Sequence, residues 1–341
     1  MLHLIRSVLV FLSFPLGLND ALSADPRLGP FEKPRPKQLA VPLGEETFGK
    51  YEALNGAIGS PDRCGEIPDA LWVGADGEGE CIRYYPQGLQ ASNSLVLVYF
   101  GGDVILRTRK AVRFVSDLYA AQSPHSIGAD MAAWGEEAGT PAVFLARPGT
   151  YGSSGDHNMR RMPREIALMD GALDRLKARF NVGAFVLVGQ SGGGHVAASL
   201  VNRRDDIAAV FISSGLLSVK RAMRAWEHRR SIPGRLLYDA AAFYDPIEDI
   251  EKIGREPAPA IWVISDPDDR VVPFSTQLHY VRRLRAAGFA PHHVYAHAGD
   301  ARRHVLAPHA KRAAALFARG GSERDIRAAL HALDIDNLER D

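Results

Sequence analysis

The stretch Leu187-Val188-Gly189-Gln190-Ser191-Gly192-Gly193 sets one serine among closely spaced glycines. It follows the apolar run Phe185-Val186-Leu187-Val188 and opens the helix-like run His195-Val196-Ala197-Ala198-Ser199-Leu200. Strand, sharp turn and helix in that order expose a serine oxygen at the C-terminal edge of a sheet, where a base can take its proton. Glycines at 189 and 193 make room for the turn, and Ser191 is the candidate nucleophile. The pattern also suits a purely structural strand-to-helix turn or a phosphate-binding loop, but the Gly-Lys-[Ser/Thr] ending of a P-loop is missing.

A serine nucleophile needs a base, and the base needs an orienting acid. After the apolar run Ile261-Trp262-Val263-Ile264-Ser265 comes Asp266-Pro267-Asp268-Asp269-Arg270-Val271-Val272-Pro273, three carboxylates ahead of a helix that Pro273 can start. Later, His297-Ala298-Gly299-Asp300-Ala301-Arg302-Arg303-His304-Val305-Leu306 follows another short strand and runs into a helix. Five histidines, 292, 293, 297, 304 and 309, crowd this region. No His-Glu-x-x-His or equivalent pairing occurs, and strand alternation puts His292 and His293 on opposite faces, so no metal site and no cofactor are expected.

On these motifs the chain resembles the α/β-hydrolases, whose order of nucleophile, acid and base is Ser, Asp, His. The family's acid commonly sits in Gly-x-x-Asp-x-x-Val-Pro. Aligning Val272-Pro273 puts Asp269 at the acid and Asp266 where the family often has Gly, which keeps Asp266 as a rival. The family's base occupies the later loop, which implies His304, with His297 as the alternative. Tyr99-Phe100-Gly101-Gly102-Asp103 stands where the family carries His-Gly or His-Gly-Gly, with Phe100 replacing the His. The resemblance implies that the amide of Gly102, or else of Asp103, joins that of Gly192 to hold the oxyanion.

Arg147-Pro148-Gly149-Thr150-Tyr151-Gly152-Ser153-Ser154-Gly155 is similar to the family's Asp-x-x-Gly-x-Gly-x-Ser loop, whose role is structural. His157 nearby reads as a solvated loop histidine rather than a pocket residue. Tyr244-Asp245-Pro246-Ile247-Glu248-Asp249-Ile250 and the run from Arg282 that ends in Ala286-Ala287-Gly288-Phe289 are closest to the prolyl-oligopeptidase and dienelactone-hydrolase branches. The resemblance covers about Ser94 to Phe317.

The elements that must position these groups are legible in the hydrophobic pattern. Short apolar runs at Ser94–Phe100, Ala142–Ala146, Ala184–Val188, Ala208–Ser213, Ala260–Ser265 and His292–Ala296 alternate with helical stretches. That alternation predicts an α/β fold with a mainly parallel central sheet flanked by helices. Ile166, Met169, Leu173, Leu176 and Phe180 give the helix Pro163–Phe180 one buried face. Leu71-Trp72-Val73 and Cys81-Ile82-Arg83-Tyr84-Tyr85 flank a glycine-rich turn, an antiparallel hairpin at the sheet's edge. Between two predicted strands, residues 215–259 hold helical pieces such as Val219–Arg230, broken at Pro233-Gly234, a short helical cap insertion.

The division is therefore a leader at 1–24, an N-terminal extension and edge hairpin at 25–93, and a hydrolase core at 94–341. His3 and Arg6 before the apolar stretch Ser7–Leu18, then Ala21-Leu22-Ser23-Ala24, read as a cleaved signal peptide too short for a stable membrane span. A retained anchor is the alternative. No Cys lies near the cleavage site to carry a lipid, so export to the periplasm or medium is expected. The only cysteines, Cys64 and Cys81, are expected to pair in an exported chain, with two free thiols as the other reading.

With 41 basic against 40 acidic residues, no global field draws the chain to nucleic acid or an anionic membrane. At 46% hydrophobic and 24% charged, its 341 residues can bury one large core. The expected partner is a small-molecule ester or amide. Three functions fit: an esterase, an exopeptidase-like amidase, and a non-catalytic binding protein on the same fold. An ester has the better leaving group and asks least beyond a triad and an oxyanion hole, which favours the first.

Overall fold

A computed structural model of the chain describes residues 27–43 and 46–338, so the predicted leader lies outside the described residues. Eight strands form the central sheet: β1 (Ala70–Ala75), β2 (Glu78–Gln87), β3 (Asn93–Phe100), β4 (Ala142–Leu145), β5 (Val182–Gln190), β6 (Ile207–Ser213), β7 (Ala260–Ser265) and β8 (His292–Tyr295). Their spatial order is β8-β7-β6-β5-β3-β4-β2-β1. From β4 to β8 every pairing is parallel, while β2 runs antiparallel to β4 and to its hairpin partner β1. This is the mixed, mostly parallel sheet that the alternating pattern predicts. Ala260–Ser265 matches its expected limits, β4 and β8 end one residue early, and β3, β5 and β6 run one or two residues beyond the apolar run because pairing outlasts it. Val182, for example, pairs with Asn93 beyond the run that starts at Ala184.

Strand alternation divides the core into two layers. Phe185 and Leu187 of β5 pack with Ile166, Met169, Leu173 and Val196 on one face of the sheet. Val186 and Val188 pack on the other with Met131, Trp134, Ala313 and Ala314. The first face is covered by α2 (Pro163–Phe180), α3 (Gly192–Val201) and α5 (Phe274–Ala286). The second is covered by α1 (Pro124–Ala138), α6 (Ala307–Ala318) and α7 (Glu323–Leu338). Phe185 to Val188 are fully buried, each such side chain being worth about 1.5–3 kcal/mol over an exposed one, so the strand before Ser191 is held firmly.

The cap segment contains α4 (Val219–Glu227) and then only single 3-10 turns. The helix ends at Glu227, three residues before the expected Arg230, and the Glu227 carboxylate accepts from Gly234 N at 2.6 Å, which ties the helix end to the Pro233-Gly234 break. Asp245 seats the start of α4 by accepting from Val219 N and Lys220 N, both at 3.0 Å. On the far edge of the molecule, Cys64 and Cys81 form the expected disulfide, joining the short helix Pro61–Gly65 to β2.

Candidate active site

Ser191 stands at the junction of β5 and α3 with φ 56° and ψ −114°, a left-handed backbone that a non-glycine residue adopts only under constraint. The constraint is main-chain: Ser191 N donates to Ser213 O at 2.9 Å, and Ser191 O accepts from His195 N and Leu216 N, both at 3.2 Å. Both flanking glycines are required by contact. A Cβ on Gly189 would lie 2.3 Å from Gly193 O, and one on Gly193 only 2.0 Å from Phe100 O.

The loop after β7 presents two buried aspartates to different partners. Asp269 accepts from Val271 N at 2.7 Å and Val272 N at 3.0 Å, and its carboxylate meets His304 Nδ1 at 2.9 and 3.1 Å. Asp266 instead accepts from Ala298 N at 2.9 Å and Arg303 Nε at 2.7 Å, which ties its loop to the histidine loop. His304 is fixed through its own main chain, since Asp300 accepts from His304 N at 2.7 Å. His297 N donates to Asp334, and His297 O accepts from Asn337 Nδ2, both at 2.7 Å, which holds it against α7. Ser191 and His304 line one cleft of about 1170 Å³, together with Gly102 and Gln190.

Gln190 joins the candidate site without any role that the sequence assigns to it. Its Nε2 donates to His304 O at 2.9 Å, and its Oε1 accepts from Leu306 N at 3.1 Å and Ser213 Oγ at 2.8 Å. The residue beside the serine thus clamps the loop that carries the imidazole. No spacing rule signals this, because His304 and Leu306 lie more than a hundred positions from Gln190.

The Gly102 loop packs on the elbow, where a Cβ on Gly102 would sit 3.5 Å from Ser191 Cβ. Gly192 opens α3, whose first amides have no intrahelical acceptor and are free to bind a negative oxygen. Asp103 lies against Gly192, so a Cβ there would come within 2.1 Å of its Oδ1. Arg147 donates to Asp103 at 2.9 Å and Arg160 at 3.1 Å, and Arg161 is its third partner. Burial alone would raise the Asp103 carboxyl, but Arg161, Arg160 and Arg147 outweigh it and hold it well below the usual carboxylate range. Arg147 also binds Glu165, Nε to Oε1 at 2.9 Å, so the Arg147–Gly155 loop is anchored at its first residue.

His157 departs from the expected solvated histidine. It is 1% exposed, faces Val104 N with Nε2 at 3.4 Å, and burial first, then Arg147 and Arg160, push its pKa well below the ordinary value. The surrounding charges exclude the imidazolium, so the ring packs as a neutral group. His195, fully buried in α3 with Nε2 2.9 Å from Tyr244 O, is likewise pushed down to about 4, chiefly by burial.

No protein-family model matches the chain, and no curated protein matches it. Among solved structures it is similar to Est1E from Butyrivibrio proteoclasticus, with TM-score 0.49, 13% identity, and 74% of this chain and 98% of that one covered. The esterase Pf2001 of Pyrococcus furiosus gives TM-score 0.49 at 10% identity, covering 78% of this chain and 88% of that one. The acylaminoacyl peptidase of Pyrococcus horikoshii gives TM-score 0.45 at 12% identity, covering 74% of this chain; this chain spans 37% of the peptidase's length. The similar structures thus include esterases and a peptidase. The chain has the α/β-hydrolase fold, as its strand order, antiparallel second strand and flanking helices show.

Proposed function

We propose that this protein is an exported serine hydrolase that cleaves a carboxylic ester through an acyl-enzyme on Ser191. One observation carries the reading: Ser191, on its strained elbow, shares a cleft with His304, whose Nδ1 lies 2.9 Å from the buried carboxylate of Asp269.

In this mechanism His304 takes the Ser191 proton as Oγ attacks the ester carbonyl, and Asp269 orients the ring and stabilises the imidazolium. The amides of Gly102 and Gly192 receive the negative charge of the tetrahedral intermediate, each such donor being worth roughly 3 kcal/mol. Collapse breaks the bond to the alcohol oxygen, which leaves with the proton from His304. A water molecule, deprotonated by the same imidazole, then releases the acid and restores the serine hydroxyl.

Ester rather than amide cleavage is supported by the charges in the cleft. A free-amine exopeptidase needs unneutralised carboxylates for the substrate's ammonium group, whereas of the two lining aspartates Asp103 is held by three arginines, which leaves Asp239 as one carboxylate in a lining that carries eight arginines. Export is supported by the leader-like first residues and by the disulfide, which persists in oxidising compartments. No helix among the described residues is long and apolar enough to cross a membrane. Comparing p-nitrophenyl acyl esters with aminoacyl p-nitroanilides tests the ester assignment: faster turnover of the esters is expected, and faster turnover of the anilides would overturn it.

A further inference from the structure

Charge is balanced over the whole chain but not in this cleft. Of the residues that line it, eight are arginines and two are aspartates. The arginines arrive from separate segments: 107 and 109 after the Gly102 loop, 160 and 161 before α2, 229 and 230 in the cap, and 270 and 302 beside Asp269 and His304. A low-dielectric wall focuses such a field onto whatever enters.

Two of these side chains are not used up by the fold. Arg161 is 8% exposed and gives one nitrogen to Asp103, yet its Nε is buried without an acceptor. Arg107 is half-buried, and its hydrogen bond is a long one, from Nη1 to Ala111 O at 3.4 Å. No ion pair to Arg107 occurs among the described residues, and burial together with Arg160, Arg113, Arg161 and Arg230 pushes its pKa down to about 9. It therefore stays charged at neutral pH, surrounded by its own sign. Arg160, by contrast, is fully employed, on Asp103, His157 O and Ile105 O.

Arg161 is tied to the reaction centre through Asp103, which binds its guanidinium and lies against Gly192, the residue after Ser191. The cap adds Met223, Trp226, Tyr238 and Phe243 to the lining, an apolar surface suited to a hydrocarbon spacer. We propose that the cleft selects esters that carry a carboxylate or phosphate group on an apolar spacer, with Arg107 and Arg161 receiving the anion. A guanidinium offers paired N–H donors that match the two oxygens of such a group. The proposal rests on Ser191 being the reacting centre, since it takes this cleft as the substrate site.

Binding to the Ser191→Ala protein tests the anion preference without requiring turnover. The probes are monomethyl succinate, adipate and suberate, their counterparts with phosphate in place of the carboxylate, and the corresponding neutral dimethyl esters, titrated by calorimetry. At least one anionic probe is expected to bind about tenfold tighter than its neutral partner. The preference should shrink with added sodium chloride and fall about fivefold when Arg107→Gln is combined with Ser191→Ala. Tighter binding by the phosphate set or the carboxylate set identifies which anion the cleft takes. Equal binding of charged and neutral probes, no binding of the charged ones, or a preference indifferent to salt would overturn the proposal. Phosphonate labelling of Ser191 reports separately on the hydrolase reading.

Discussion

The side-chain amide of Gln190 donates to the carbonyl oxygen of His304 at 2.9 Å, so the residue preceding the candidate nucleophile holds the main chain of the candidate base. The oxygen of the same amide accepts from Leu306 N, which fixes the main chain as it leaves the histidine. Gln190 is a positioning residue in the proposed mechanism. Replacing it with Leu removes these bonds and leaves buried donors and acceptors unmatched, at about 1–3 kcal/mol each. Gln190→Leu is expected to lower kcat by about 100-fold with a small change in KM, as follows when a catalytic group shifts by about an ångström. Steady-state ester kinetics beside a thermal melt check this; an unchanged kcat in a folded variant would refute it.

The two buried aspartates of the β7 loop should fail differently. Asp269→Asn leaves the loop in place but removes the carboxylate from His304 Nδ1, and the expected loss is on the order of 10⁴-fold in kcat with stability largely kept. Asp266→Asn breaks a buried ion pair with Arg303 and should cost about 3–5 kcal/mol of stability, with less effect on the kcat of the folded fraction. Denaturant melts and kinetics on both variants separate the roles; the reverse pattern would exchange them.

Acid should weaken the fold in two windows. His195 is held neutral, with its pKa pushed from 6.5 to about 4, so the unfolded chain binds a proton that the folded chain refuses. Stability is therefore full above pH 6.5 and falls towards pH 4, by about 1.4 kcal/mol per pH unit for each such group. Asp103 has the opposite charge and a depressed pKa, so its contribution is present above 3.8 and lost as pH falls below it. Urea unfolding measured across this range should show both declines. In Asp103→Asn the lower one should be smaller and the whole curve displaced down by about 3–5 kcal/mol, because Arg147, Arg160 and Arg161 lose their shared carboxylate.

The disulfide joins cysteines 17 positions apart, and neither of them lines the cleft. Loop-closure entropy assigns about 3 kcal/mol to a loop of that length, so reduction should lower the melting temperature while leaving kcat/KM at ambient temperature unchanged. A large loss of activity without a change in melting temperature would contradict this division between scaffold and site.

Much of the architecture was legible because burial leaves a periodic trace. The strand that carries Ser191, the buried face of Pro163–Phe180 and the edge hairpin all follow from the spacing of apolar residues, and the elbow follows from glycines that contact forces to be glycine. What periodicity could not reach was set by loop paths. Asp266 and Asp269 sit three residues apart in one turn, and the amides of Val271 and Val272 on Asp269, with Ala298 N and Arg303 on Asp266, decide which carboxylate turns towards His304. The burial of His157 and the clamp by Gln190 have the same origin. So does the convergence of arginines, since residues 107, 161, 230 and 270 line one cleft only once four distant segments meet.

The most direct test of the account is covalent labelling by a fluorophosphonate, which reacts with a serine only when a base and an oxyanion site activate it. The native protein is expected to take up one equivalent, with mass spectrometry placing the adduct on Ser191, and labelling should be abolished in Ser191→Ala and strongly slowed in Asp269→Asn. Failure of the folded native protein to label, or an adduct on another residue that survives Ser191→Ala, would contradict it.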